Sequence, residues 1–316
     1  MQLTGSTSPC RHGRVLTTRT LASLAGGLVL LATAVPAWGG TLDRVRQSGK
    51  LTFGYRADAR PLSYRDESGA PDGYSVALCR KIAEDLKVQL GLRELAVDFE
   101  VVGTDERFRA VQEGRIDVLC GAATATLGRR ADVGFSIPIF AGGVGGLLRK
   151  DAPARLRAAL SGEPAPQEPR WRASMSRVLE KRTYAVVSGT TTVDWLNERK
   201  SHFQIIAEIS QVPNYPAGVQ QILDRSSDVF FGDRAILLAA ATRSPSAKDL
   251  MVLDRLFTYE PLALALPRGD EDLRLAVDRS LSRLYRSGEI SEVYTKFFGK
   301  PDEKASTFFR LMALPE

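Results

Sequence analysis

Short strand-like runs alternate with segments of helical period from residue 42 to residue 298, and this alternation restricts the chain to an α/β architecture. Residues 42–48 read as a short helix before the alternating strand 50–55. Residues 75–86 then carry Val76, Leu78, Cys79, Ile82, Ala83 and Leu86 at helical spacing. A strand over 97–102, a helix over 107–113 stopped by Gly114, and a strand over 116–120 follow, a succession that predicts a parallel sheet. A second series starts with a strand at 182–188 and a helix containing Val193, Trp195 and Leu196. It continues with a strand at 205–206, a helix at 219–223, a strand at 228–231 and a helix at 235–241. A strand at 262–266 and helices at 271–287 and 290–298, split by Gly288, close the chain. Between the two series, residues 152–170 are rich in Pro, Ala and charge and read as a surface insertion.

The first 39 residues have the three-part composition of a secretory leader: Arg11, Arg14 and Arg19, an apolar stretch 21–35, then small residues suited to cleavage. Its removal is expected to leave a soluble, periplasmic protein, with no Cys placed for a lipid anchor and no later span for a bilayer. Losing three Arg and no acid lowers the net charge from +6 to +3. Nothing then resembles the concentrated basic face of a nucleic-acid binder, so no nucleic acid is expected as a partner. The remaining chain, about 275 residues, exceeds what one core organises, which points to two lobes. Cys79 and Cys120 stay in it. In an oxidising compartment the pair permits one disulfide, and the other reading is two separately buried thiols. With only His12 and His202 present, neither a His-built zinc site nor a His-based triad is expected, nor any cofactor.

The polar groups at strand ends carry the chemistry. Strand 116–120 runs into small residues, Gly121, Ala122 and Ala123, followed by Thr124 and, five residues on, Arg129. A hydroxyl, free N–H groups and a guanidinium fork at one strand end suit a small-molecule carboxylate; the plain alternative is a solvated loop. Ser188-Gly-Thr-Thr-Thr192 opens a helix, where N–H groups and hydroxyls favour an anion, or where a Thr merely caps. Asp233 follows the strand 228–231. It is either the N-cap of the next helix or an acceptor for an ammonium, which beside a carboxylate seat completes the zwitterion of an α-amino acid. Arg56 and Arg107 are then further cations, either paired at the surface or gripping a second carboxylate.

Together these residues resemble a type II periplasmic solute-binding protein of family 3, the amino-acid branch that serves ATP-driven importers, over residues 41 to 300. The resemblance is carried by Gly73-Tyr74 opening a helix, Gly114-Arg-Ile-Asp117 followed by Thr124 and Arg129, and Phe135-Ser136-Ile-Pro138. It is carried further by Gly189-Thr190-Thr191, the spacing Asp228 to Asp233, and Ser287-Gly288-Glu289 with Tyr294, Phe297 and Phe298. Within that family the likeness is to glutamate/aspartate-binding members, through Gly54-Tyr55-Arg56 with Pro61-Leu-Ser-Tyr64, and Thr104 with Arg107. The departures are Ala122, where a ligand-binding Ser is usual, and the lack of a His near Tyr215.

The resemblance implies a two-lobed fold of two mixed sheets flanked by helices and joined by two crossing hinge strands. Lobe 1 would comprise 41–146 and 260–316, and lobe 2 residues 151–256. It implies a ligand set of Arg56, Thr104, Arg107, Ala122, Thr124, Arg129, Thr190, Thr191 and Asp233. Arg129, Thr124 and Thr191 would hold the α-carboxylate, and Arg56 and Arg107 the side-chain carboxylate. The expected function is capture of an amino acid by a monomer and its delivery to the membrane subunits of an ABC importer. Two alternatives stand beside it: ligand sensing for a membrane receptor, and a periplasmic dehydratase, for which Asp105 or Glu106 would supply the acid or base.

Overall fold

In the computed structural model, residues 39–162 and 176–316 are described. The expected secretory leader, but for Gly39, lies outside them, as does 163–170 of the expected insertion. Two sheets organise the rest. The first has the order Ala96–Val101, Lys50–Tyr55, Val118–Thr124, Glu260–Leu266 and Gly134–Phe135, with Phe140–Gly142 also paired to Glu260–Leu266. Its first three strands run parallel, and Glu260–Leu266 lies antiparallel to Val118–Thr124. The second repeats that plan: Glu208–Val212, Thr183–Val187 and Val229–Asp233 are parallel, then Val144–Arg149 and Leu250–Val252 antiparallel. The sheets are therefore mixed. The parallel part follows from the helix-linked succession of strands, and the antiparallel part from segments that cross between the sheets.

The crossings decide how the halves meet. Only Gly143 separates the last strand of the first sheet, Phe140–Gly142, from the first strand of the second, Val144–Arg149. The returning segment lies against it: Phe257 donates to the Val144 carbonyl at 2.8 Å and Val144 N–H to Thr258 Oγ1 at 2.9 Å. A Cβ on Gly143 would collide with the Thr258 carbonyl, so the two backbones approach as closely as glycine permits.

The helix Tyr74–Gln89 buries Val76, Leu78, Cys79, Ile82 and Leu86 against the first sheet, on the face that its periodicity marks. Its first residue, Tyr74, is buried; its hydroxyl donates to the Ile139 carbonyl at 2.9 Å and its ring meets Phe298 at 5.4 Å. Phe140 stacks on Phe298 at 4.8 Å, so the closing helix Ile290–Phe298 is clamped over the crossing. Cys79 of this helix is bonded to Cys120 of the strand beneath, with Cα atoms 6.2 Å apart.

Several elements differ from the sequence reading. The third strand is Val118–Thr124 and does not stop at Cys120, because Thr124 and Ala123 pair with Leu262 and Ala263, partners far away in sequence. The strand expected at 205–206 is Glu208–Val212; it is a half-exposed edge whose polar content hid it, while Ile206 is exposed. The helix expected from Val219 begins at Tyr215: Asn214 caps it by accepting from Ala217 N–H at 2.9 Å, and Pro216 sits in its first turn, where proline is tolerated. A further helix, Glu303–Met312, follows the Gly299–Pro301 break, packing Phe309 on Tyr285 at 5.3 Å. In the expected surface insertion, Ala154–Ser161 is a helix that buries Leu156 and Leu160, so that part is packed structure. Among the described residues no helix is long and apolar enough to cross a membrane.

Candidate functional site

One cavity lies where the two sheets face each other across the crossings. It is lined by Arg56, Arg107, Ala122, Thr124 and Arg129 from the first half and by Thr190, Thr191, Thr192, Tyr215 and Asp233 from the second, with Glu260 from the returning crossing. Eight of the nine residues singled out in sequence thus converge. Thr104 does not line the cavity; its carbonyl instead accepts from the Arg107 guanidinium. The carboxyl ends of the parallel strands Lys50–Tyr55 and Thr183–Val187 both deliver residues here, as expected for an open α/β sheet.

Three guanidiniums crowd the cavity and are held differently. Arg56 is buried and donates bidentately to Asp58, Nε to Oδ1 at 2.9 Å and Nη2 to Oδ2 at 2.8 Å. Its charge is therefore matched within the protein by Asp58, while it still lines the cavity. Arg107, also buried, donates through Nη2 to the Gly189 carbonyl at 3.0 Å, and its Nε has no partner. Its pKa is pushed down to about 9, by burial first and then by the positive charges of Arg129 and Arg56. Arg129 donates to the Thr124 carbonyl at 2.9 Å and to the Gly189 carbonyl at 3.4 Å. Burial lowers its pKa too, and Glu260 opposes that shift. The Phe108 ring centre lies 4.5 Å from the Arg107 guanidinium carbon and 5.0 Å from that of Arg129. Both cations are thus within cation–π range of one ring.

Acceptors face these donors. Asp233 Oδ1 caps the helix Arg234–Arg243, accepting from Ala235 N–H at 2.9 Å, while Oδ2 takes Gly143 N–H at 3.4 Å. Asp233 is thus an N-cap that also lines the cavity. Desolvation raises its pKa to about 6 despite those N–H bonds. The Thr190 hydroxyl turns away to the Val187 carbonyl at 2.7 Å, so Thr190 offers the cavity its other atoms. Tyr215 accepts from Asp233 N–H at 3.2 Å, and burial drives its phenol pKa up. The acids named for a dehydratase are engaged elsewhere: Asp105 accepts from the Ser188 hydroxyl at 3.3 Å, and Glu106 pairs with Arg115 at 3.2 Å. No cluster of metal-ligating side chains occurs among the described residues.

Sequence reasoning missed Glu260. Its Oε2 accepts from Thr124 Oγ1 at 2.8 Å and Thr191 Oγ1 at 2.9 Å, and its Oε1 from Thr258 Oγ1 at 3.0 Å. The available signal was a charged residue opening the apolar strand 262–266, but a Glu before a strand is ordinarily solvated. Of the N–H groups at this strand end, that of Ala125 is taken, donating to the Pro261 carbonyl at 2.9 Å.

Known proteins share this plan. The chain is 27% identical over 263 residues to an L-glutamate/L-aspartate-binding protein of Pseudomonas aeruginosa, covering 83% of this chain and 81% of that one. It is 24% identical over 258 residues to a glutamine-binding ABC transporter protein of Bacillus subtilis, covering 81% and 84%. The crystal structure of the ancestral amino acid-binding protein AncCDT-1, a precursor of cyclohexadienyl dehydratase, superposes with a TM-score of 0.65 at 25% identity, over 82% of this chain and 100% of that one. Residues 51–300, most of the chain, match the family model, and the protein belongs to the bacterial extracellular solute-binding proteins, family 3.

Proposed function

We propose that the cavity captures an acidic amino acid, glutamate- or aspartate-like, outside the cytoplasmic membrane and that the loaded protein delivers it to an ABC importer. Residues 41–146 with 260–316 form one lobe and 151–256 the other, closing on the ligand about the two crossings. Arg129, Thr124 and Thr191 hold the α-carboxylate, and Asp233 accepts from the ammonium. Arg107 takes the side-chain carboxylate, backed by the field of Arg56. The observation that carries this reading is the buried Arg107 Nε, a charged donor without an acceptor at the cavity. A side-chain carboxylate on the ligand supplies a charge-assisted acceptor for it; an apolar or basic side chain leaves the donor orphaned. The relatives named for glutamate and aspartate support the same class.

A thermal-shift screen of the twenty amino acids and small dicarboxylates tests it. Glutamate or aspartate is expected to raise the melting temperature and arginine to leave it unchanged. A shift with neutral or basic amino acids alone would overturn the acidic assignment.

A further inference from the structure

Glu260 belongs to the crossing, yet its carboxylate collects one hydroxyl from each half: Thr124 at 2.8 Å from the first sheet and Thr191 at 2.9 Å from the helix on the second. The same two hydroxyls, beside Arg129, are those assigned above to a ligand's α-carboxylate. We propose that Glu260 is a built-in occupant of the α-carboxylate seat. It bridges the halves when no amino acid is bound, so ligand binding exchanges one carboxylate for another. This inference rests on the amino-acid reading for its affinity arm alone.

Three observations carry it. Arg129 is desolvated enough for its pKa to fall, and the Glu260 charge opposes that fall, so the seat is electrostatically unfavourable without an anion. With Glu260 in place the cavity is only about 30 Å³, room for a water or two but not for an amino acid. The residue is also tethered: its backbone pairs with Gly142 in the first sheet, so rotation about side-chain bonds releases both hydroxyls without moving the strand. A tethered competitor lowers apparent affinity to the fraction of the time that the seat stands vacant. At nine-tenths occupancy the penalty is about tenfold.

The test uses the full protein with Glu260→Gln, which keeps the shape and removes the charge, and Glu260→Asp, which retracts the carboxylate by one methylene. L-Glutamate is titrated calorimetrically, and small-angle scattering is recorded without ligand. Both variants are expected to bind L-glutamate about tenfold more tightly, the penalty above being lifted. Without ligand, both are expected to scatter as a more expanded particle than the wild type. Equal or weaker binding in whichever variants fold overturns the proposal and makes Glu260 an ordinary ligand residue. Should L-glutamate bind neither wild type nor variants, the acidic reading fails, and scattering alone decides. An unchanged unliganded profile then overturns the occupant role, and an expanded one upholds it.

Discussion

Asp233 is expected to join stability to recognition through one carboxyl. Its pKa is raised to about 6 in the fold, against 3.8 for the free side chain, because desolvation outweighs its three N–H donors. The sign follows by linkage. Below pH 3.8 the group is protonated in both states; as pH climbs, the unfolded chain ionises first, so this contribution to stability is lost through pH 6. An ammonium, by contrast, needs the ionised form. Affinity for L-glutamate is therefore expected to fall by about fivefold between pH 6 and pH 5, up to one proton being taken up on release. Calorimetric titration across that window checks this, and Asp233→Asn should flatten the profile while weakening binding throughout.

The cations divide in the same way. Arg107 has an orphaned Nε, whereas Arg56 is already matched by Asp58. Arg107→Ala is expected to cost acidic ligands about 2–3 kcal/mol, the worth of a charge-assisted hydrogen bond, and neutral amino acids far less. Arg56→Ala should cost acidic ligands less than Arg107→Ala. Equal losses for glutamate and glutamine in Arg107→Ala would remove its assigned role.

At the scale of elements, the contact between the two crossings and the helix–strand bond are the pieces most open to testing. Gly143 lies against the Thr258 carbonyl, so Gly143→Ala forces the crossings apart; about 1–3 kcal/mol of stability is expected to be lost, read from urea unfolding. The Cys79–Cys120 bond ties the helix Tyr74–Gln89 to the strand Val118–Thr124, across 41 residues of chain. Removing it as Cys79→Ala with Cys120→Ala is expected to cost about 2–4 kcal/mol while leaving ligand affinity nearly unchanged, since neither Cys lines the cavity. Helices were legible where an amphipathic stripe was long: Glu271–Ser287 and Ile290–Phe298 stand where periodicity put them. Elements failed where a partner element, not periodicity, defines them. Thr124 is strand because Leu262 pairs with it, and Glu208–Val212 is strand because Thr183–Val187 does.

For the whole molecule, ligand joining both lobes should act on global stability and shape. At a free concentration one hundred times Kd, bound amino acid is expected to add about 2.7 kcal/mol, and melting curves at rising L-glutamate concentration should follow that dependence. What the sequence determined by itself was the set of groups: two α/β series, together with Thr124 and Arg129, the Gly189–Thr191 loop, and Asp233, which line one cavity. Local propensity and residue chemistry suffice for these, because each lies within one short segment. Only the tertiary structure decided how the groups are shared out. It matched Arg56 to Asp58, left Arg107 Nε without an acceptor, and turned Thr190 to its own strand. It also brought Glu260 across 136 residues of chain to Thr124. Such pairings depend on where the crossings place side chains in space, and sequence distance carries no record of that.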